Sequence, residues 1–349
     1  MSSTPGVVFR PARRARLIGA AFALALISFG SVAVAAEWSV VPTQGQMNPR
    51  HEAAFIEHAG KFYLIGGRRI QPIDIYDPAT GTWTQGAAPM AEVHHFQAFS
   101  YGDRILVVGA LTGGRVGGTA MPESALGRIL IYDPATDTWT RGPLLPEGRS
   151  RGSAGSVIHN DTLYLLAGLT QSHRGDNVTW FDALDLKTGQ WRQLPDAPRT
   201  RDHFQLAIID NKIYAAGGRR SPSGQGFAAL VSEVDVFDLK TGQWSTLPSP
   251  AGDIPTTRAG TMTLAVGPYL VVAGGETQRQ EVAHDEVEAL DTRTGVWTAW
   301  PKFLKGRHGS ALIRHGDAIY VGSGAPKRGL LGIPELDEME KLELPAELR

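Results

Sequence analysis

Between residues 50 and 324 the hydrophobic and polar positions recur as a unit. Six ungapped eighteen-residue segments start at residues 50, 92, 151, 201, 258 and 307: RHEAAFIEHAGKFYLIGG, EVHHFQAFSYGDRILVVG, RGSAGSVIHNDTLYLLAG, RDHFQLAIIDNKIYAAGG, RAGTMTLAVGPYLVVAGG and RHGSALIRHGDAIYVGSG. Each opens on polar residues, runs through a short apolar strand to a Gly, Asn or Asp turn, and returns through a second strand ending in Gly. A period of roughly 40 to 50 residues indicates a solenoid, propeller or array, because one such unit cannot bury its apolar face alone.

The second half of each unit repeats too, as an apolar stretch leading to DPATGTW, DPATDTW, DLKTGQW, DLKTGQW or DTRTGVW. Asp77, Asp133, Asp185, Asp238 and Asp291 open these segments and Trp83, Trp139, Trp191, Trp244 and Trp297 close them. An Asp carboxylate closes an Asx turn, and Gly or Asp tolerates positive φ, so the spacing predicts a hairpin. Four short antiparallel strands per unit describe a propeller blade.

At these residues the chain resembles the kelch family of β-propellers. Gly67, Gly109, Gly168, Gly218, Gly275 and Gly324 are expected to end the second strand, with Val108, Ala167 and Ser323 departing from the family's Gly doublet. Tyr63, Ile105, Tyr164, Tyr214, Val271 and Tyr320 are expected to share one core position. The fold expected is an all-β, six-bladed kelch-type propeller over residues 37–349, with inner-strand pairs at 50–67, 92–109, 151–168, 201–218, 258–275 and 307–324. The sixth unit lacks its Trp, and Trp38 in EWSVV supplies one, so residues 37–41 are predicted to form the outer strand of the last blade. The tail LDEMEKLEL reads either as that blade's third strand or as a short helix.

Residues 1–36 read as a secretory signal: Arg10, Arg13, Arg14 and Arg16, an uncharged run from Leu17, and small residues before Glu37. Cleavage is expected after Ala36 or Ala35; the alternative is a retained anchor. With no cysteine in the chain, disulfides, thiolate metal sites and cysteine nucleophiles are excluded, as is the Tyr–Cys radical chemistry of the copper oxidases among related propellers. The expected location is the periplasm or cell exterior. The net charge is −1, and losing four Arg with the signal leaves about −5, so no general attraction to nucleic acid or to an anionic membrane follows.

Charge distribution is more informative. The first positions of the six segments are Arg50, Glu92, Arg151, Arg201, Arg258 and Arg307, and every loop after the second strand carries a cation, including Arg68, Arg115, Arg174, Arg219, Arg279 and Lys327. On this register one mouth of the channel is ringed by guanidinium groups. The alternative for the strand-one arginines is structural, bracing adjacent blades through backbone carbonyls. Two positions further on come Glu52, His94, Ser153, His203, Gly260 and Gly309. Glu52, His94 and His203 are the candidate acid–base residues, with His95, Asp202 and His308 nearby. Imidazole with carboxylate suits zinc, copper or iron, but no HExxH-like spacing is present, and no metal or cofactor is assigned. The Gly-rich stretch at 109–118 reads as a flexible loop over the mouth.

Two functions follow. The first is an exported, monomeric binding module that holds an anionic small molecule, acidic glycan or acidic protein segment at the Arg-lined mouth, with Arg50, Glu92, Arg151, Arg201, Arg258 and Arg307 and the loop residues Arg68 and Arg219 as its ligand-binding positions. The second is a mutarotase or epimerase acting on an acidic sugar, since the chain is similar in fold, size and export to the periplasmic kelch-type sialic acid epimerases, with Glu52 facing His203 across the channel as acid and base.

Overall fold

In the computed structural model, the described residues are 1, 37–113, 115–116, 119–120, 122–173, 176–221, 229–329 and 334–349. The signal segment and Arg174 lie outside them. The ring lies within one unit, residues 33–349, and consists of six four-stranded antiparallel sheets. Blade one is Ala53–His58, Lys61–Gly66, Ile73–Asp77 and Thr82–Gly86. The inner strand of each blade packs on that of the next, and the sixth packs on the first. The core accordingly lies in layers between neighbouring blades. Tyr63, Ile65 and Ile73 of blade one, for example, meet Phe96, Ile105 and Val107 of blade two.

The ends of the chain close the ring. Blade six takes Leu312–His315, Ala318–Gly322 and Met339–Glu343 from the C-terminal end, and Ser39–Val40 pairs outside Met339–Glu343. The charged tail is therefore the third strand: Met339 and Leu342 are buried on its two faces, Glu340 is buried against Arg307, and Glu343 at its end is exposed. Trp38 occupies the position of the other blade tryptophans. Its indole N–H donates to Pro301 O of the preceding blade, as Trp139, Trp191 and Trp244 donate to Ala87, Leu144 and Pro195 O. The Asp carboxylates of the outer hairpins accept from the backbone N–H two residues on, for Asp77, Asp133, Asp185, Asp238 and Asp291 alike.

Blade two is offset by one residue from the sequence alignment. Gly67 N donates to Val93 O, whereas Gly168, Gly218, Gly275 and Gly324 donate to the carbonyls of Arg201, Arg258, Arg307 and Arg50. Val93, not Glu92, therefore stands where the other blades carry Arg. The offset continues through the blade: Leu106 pairs with Ile131 as Tyr63 pairs with Ile75, and Gly109 and Ala110 take the doublet positions. The cue was the inner turn. Matching YGDRIL at 101 to HGDAIY at 315, rather than matching the terminal glycines, sets the frame at Val93.

The five strand-one arginines are fully buried. Each guanidinium donates to the carbonyl of its own blade's first doublet residue, Gly66, Ala167, Gly217, Gly274 or Ser323, which leaves the helix-free chain bend there satisfied. Each also pairs with a buried carboxylate on the third strand: Arg50 with Asp74, Arg151 with Asp182, Arg201 with Asp235, Arg258 with Glu288 and Arg307 with Glu340. Burial lowers Arg50, Arg151 and Arg201 to about 10 against the pull of these carboxylates, and they remain cations at neutral pH. The expectation that Arg50, Arg151, Arg201, Arg258 and Arg307 ring the mouth is corrected. Their hydrogen-bonding capacity is spent inside the blades, and only the bracing alternative fits.

Candidate functional site

The channel is pinched by six equivalent residues with left-handed backbone: Glu52, His95, Ser153, His203, Gly260 and Gly309, with φ between 53° and 68°. Their peptides chain around the ring, with His95 N donating to Glu52 O, Ser153 N to His95 O, His203 N to Ser153 O, and Gly260 N to His203 O. Four of the six are not glycine, and this backbone costs an L-residue roughly 1–2 kcal/mol. Such strain concentrates at functional sites. Gly309 has no substitute, because a Cβ there would lie 2.5 Å from Glu52 N. Against the constriction, on the channel side, lies a small cavity of about 40 Å³ lined by Glu52, His95, Ser153 and His203 together with Gln97, Gln205 and Ser310.

The offset of blade two decides which histidine reaches this space. His95 holds the ring position. His94, the sequence candidate, turns away, with Nε2 2.9 Å from Gly113 O and burial beside Arg68 pushing its pKa down to about 3. Glu52 and His203 both line the pocket, with His95 between them. Glu52 Oε2 is 3.2 Å from His95 Nε2, and the rings of His95 and His203 are 4.7 Å apart.

Two loops complete the cluster. His173, after the second strand of blade three, places Nε2 3.1 Å from His203 Nε2 and Nδ1 2.5 Å from Glu123. Glu123 arrives on the insertion that was expected to be a flexible loop; it instead carries two short ladders, Leu111–Thr112 with Ser124–Ala125 and Arg115–Val116 with Thr119–Ala120. Neither His173 nor Glu123 belongs to the repeat, so periodicity gave no signal for them.

The charges are closely matched. His203 Nδ1 contacts Asp202, which also accepts from Ser221 and Asn177. Burial opposes the ionisation of Asp202 and Glu123, but the contacts with His203 and His173 hold both at about 2. Burial likewise opposes ionisation of Glu52, whose histidine partners, His95 and His308, hold it well below the usual range. His308 goes the other way: despite burial, Glu276 and Glu52 raise it to about 9, making it an imidazolium. Burial keeps His95 and His203 neutral. Among the described residues, two loop arginines reach the cluster: Arg68, 3.0 Å from Glu123, and Arg219, 3.0 Å from His203 Nε2 and 3.4 Å from Glu276. Among the described residues of this cluster, Glu52, Glu123, Asp202 and Glu276 outnumber Arg68, Arg219 and His308, so the cluster itself is not cationic. Glu92 lies beside it, buried and with no hydrogen-bond partner for its carboxylate among the described residues, and burial raises it to about 7.

Comparison with known proteins agrees with this architecture. Residues 111–324 match the family model of the KLHDC2/KLHL20/DRC7 Kelch-repeats domain. The chain belongs to the kelch-repeat family. It is 32% identical over 312 residues to Kelch-like protein terF of Aspergillus terreus, covering 82% of this chain and 64% of that one. It is also 34% identical over 174 residues to Kelch domain-containing protein 8B of Rattus norvegicus, covering 47% and 45%. The chain thus spans less than two thirds of the length of these curated relatives. The solved structure of YjhT superimposes with a TM-score of 0.68 over 85% of this chain and 96% of that one, at 14% identity, a likeness of fold.

Proposed function

We propose that this kelch propeller is an exported binding module that takes a small anionic ligand, or the acidic side chain of a protein segment, at the histidine-lined mouth of its channel. The observation that carries the reading is the placement of Arg219 and Arg68. With the five strand-one arginines committed to bracing, these two are, among the described residues, the guanidinium groups beside the strained ring and the three imidazoles. A ligand carboxylate would exchange with Glu276 at Arg219 or with Glu123 at Arg68, a swap of one charge-assisted pair for another. Export rests on the basic, apolar and small-residue order of residues 1–36.

The test is a thermal-shift and calorimetric screen of the full chain against galacturonate, N-acetylneuraminate, sugar phosphates and acidic peptides, because a ligand selective for the native state raises its apparent stability. One class should bind selectively, and Arg219→Gln should weaken it by about tenfold or more, the scale of one charged hydrogen bond. Equal responses to all anions that vanish in moderate salt, or unchanged affinity in Arg219→Gln, would remove the reading.

A second reading is supported by one specific pairing. Glu52 as carboxylate and His308 as imidazolium, Oε1 to Nδ1 3.6 Å apart, are a base and an acid whose surroundings push their pKa values apart. That is the equipment of an acidic-sugar mutarotase or epimerase. NMR of freshly dissolved α-anomers of N-acetylneuraminate and galacturonate decides it: equilibration no faster than in buffer rejects this reading for those sugars. Acceleration lost by ~10²-fold in Glu52→Gln supports it.

A further inference from the structure

We propose that His95, His173 and His203 form a site for one divalent transition-metal ion of the zinc or cobalt type, with an open coordination position facing the channel mouth. The inference deepens the anion-binding reading and rests on it for the ligand that fills the open position. The three imidazoles each bring one nitrogen to within 4.8 Å of the others.

Two of the three tautomers point their lone pairs inward. His203 Nδ1 is taken by Asp202 and His173 Nδ1 by Glu123, so each ring donates from Nδ1 and presents Nε2 as an acceptor. His95 Nδ1 lies 2.5 Å from His94 Nδ1, and His95 Nε2, 3.2 Å from Glu52 Oε2, gives up its proton on entering a metal site, as any imidazole ligand must. Two acceptor nitrogens 3.1 Å apart, those of His173 and His203, repel unless a proton or a cation lies between them. Tetrahedral zinc with Zn–N of roughly 2.0–2.1 Å holds its nitrogens about 3.3 Å apart, close to that spacing. Bringing in His95 requires closing the remaining separation by about 1.5 Å, shared among three side chains. A carboxylate behind each of two ligands is the outer shell that orients metal-binding histidines, and Glu52, 3.2 Å from His95 Nε2, adds a negative charge beside the ion.

The arrangement also answers an electrostatic difficulty. Among the described residues the cluster carries more carboxylates than cations, and an anionic ligand gains from further positive charge there. A divalent ion supplies it, and its fourth position accepts the ligand oxygen. The competitor is Arg219, whose Nη2 donates to His203 Nε2; on metal binding it must turn to Glu276 and Asp202, which it already approaches.

The experiment uses full-length protein stripped with chelator and titrated with Co²⁺, followed by visible absorption and calorimetry, with no anion present. The expected result is one Co²⁺ per chain with a tetrahedral ligand-field spectrum, displaced by Zn²⁺. His173→Gln, on a half-buried loop, and His203→Asn should each weaken binding by at least ~10²-fold, Glu123→Gln by about 10–100-fold, and Arg219→Gln should tighten it. His159→Gln, at an exposed hairpin, should change nothing. Absence of a saturable site, or a site that survives His173→Gln in a chain that keeps its near-ultraviolet circular dichroism, overturns the proposal. The two readings fail separately: an anion bound by stripped protein through Arg219 without Co²⁺ uptake defeats the metal site alone, and Co²⁺ uptake with no anion recruited defeats the anion reading alone.

Discussion

Arg201→Ala should destabilise the ring rather than change its ligand. Arg201 Nη1 donates to Ala215 O and Gly217 O, both at 3.0 Å, and Nη2 pairs with Asp235 at 2.5 Å, all in the interior of blade four. Breaking a buried ion pair by removing one partner typically costs about 3–5 kcal/mol, since the other charge stays behind without compensation. Asp235 keeps Arg199 and Thr246, which places the expected loss near the lower end. With unfolding entropy near 2.1 cal/mol/K per residue, a unit of this size loses about 0.7 kcal/mol per degree, so Tm should fall by about 4–7 °C, toward the smaller figure. Urea unfolding at constant m should show the same loss. Arg201→Lys, which keeps the charge but reaches fewer carbonyls, should recover part of it. A Tm within a degree of wild type, with anion affinity reduced about tenfold, would restore the Arg-lined mouth and refute the bracing role.

Trp38→Ala should cost ~3–5 kcal/mol, because it removes a buried indole that donates to Pro301 O and packs edge-on against Phe303 at 4.7 Å; an unchanged denaturation midpoint would contradict closure by the N-terminal strand. Glu92 gives a pH signature. Its folded pKa, near 7, lies above the unfolded value near 4.5, so the native state holds the extra proton and stability is lost as pH rises between those values. Glu92→Gln should therefore melt higher than wild type at pH 8, by at most about 3 kcal/mol, and level with it below pH 4.5. Equal melting curves at both pH values would show that Glu92 is hydrated.

The repeat made most of the fold legible. Alternation, turn residues and the Asp-to-Trp spacing specify blades because each unit's apolar faces can be buried only against its neighbours, and the missing sixth Trp pointed to Trp38. The sequence pattern also identified the ring position, where Glu52 and His203 stand. Tertiary structure decided three things. The first was the fate of the arginines: periodicity gives recurrence, but whether a guanidinium faces solvent or a third-strand carboxylate depends on pairing between strands distant in sequence, as in Arg50 with Asp74. The second was the choice of His95 over His94, because a one-residue slip in a β-strand reverses every side chain and only the hydrogen-bond ladder fixes it. The third was the site itself, since His173 and Glu123 come from loops of two different blades, outside the repeat, and only the packing of blade three on blade two brings them together.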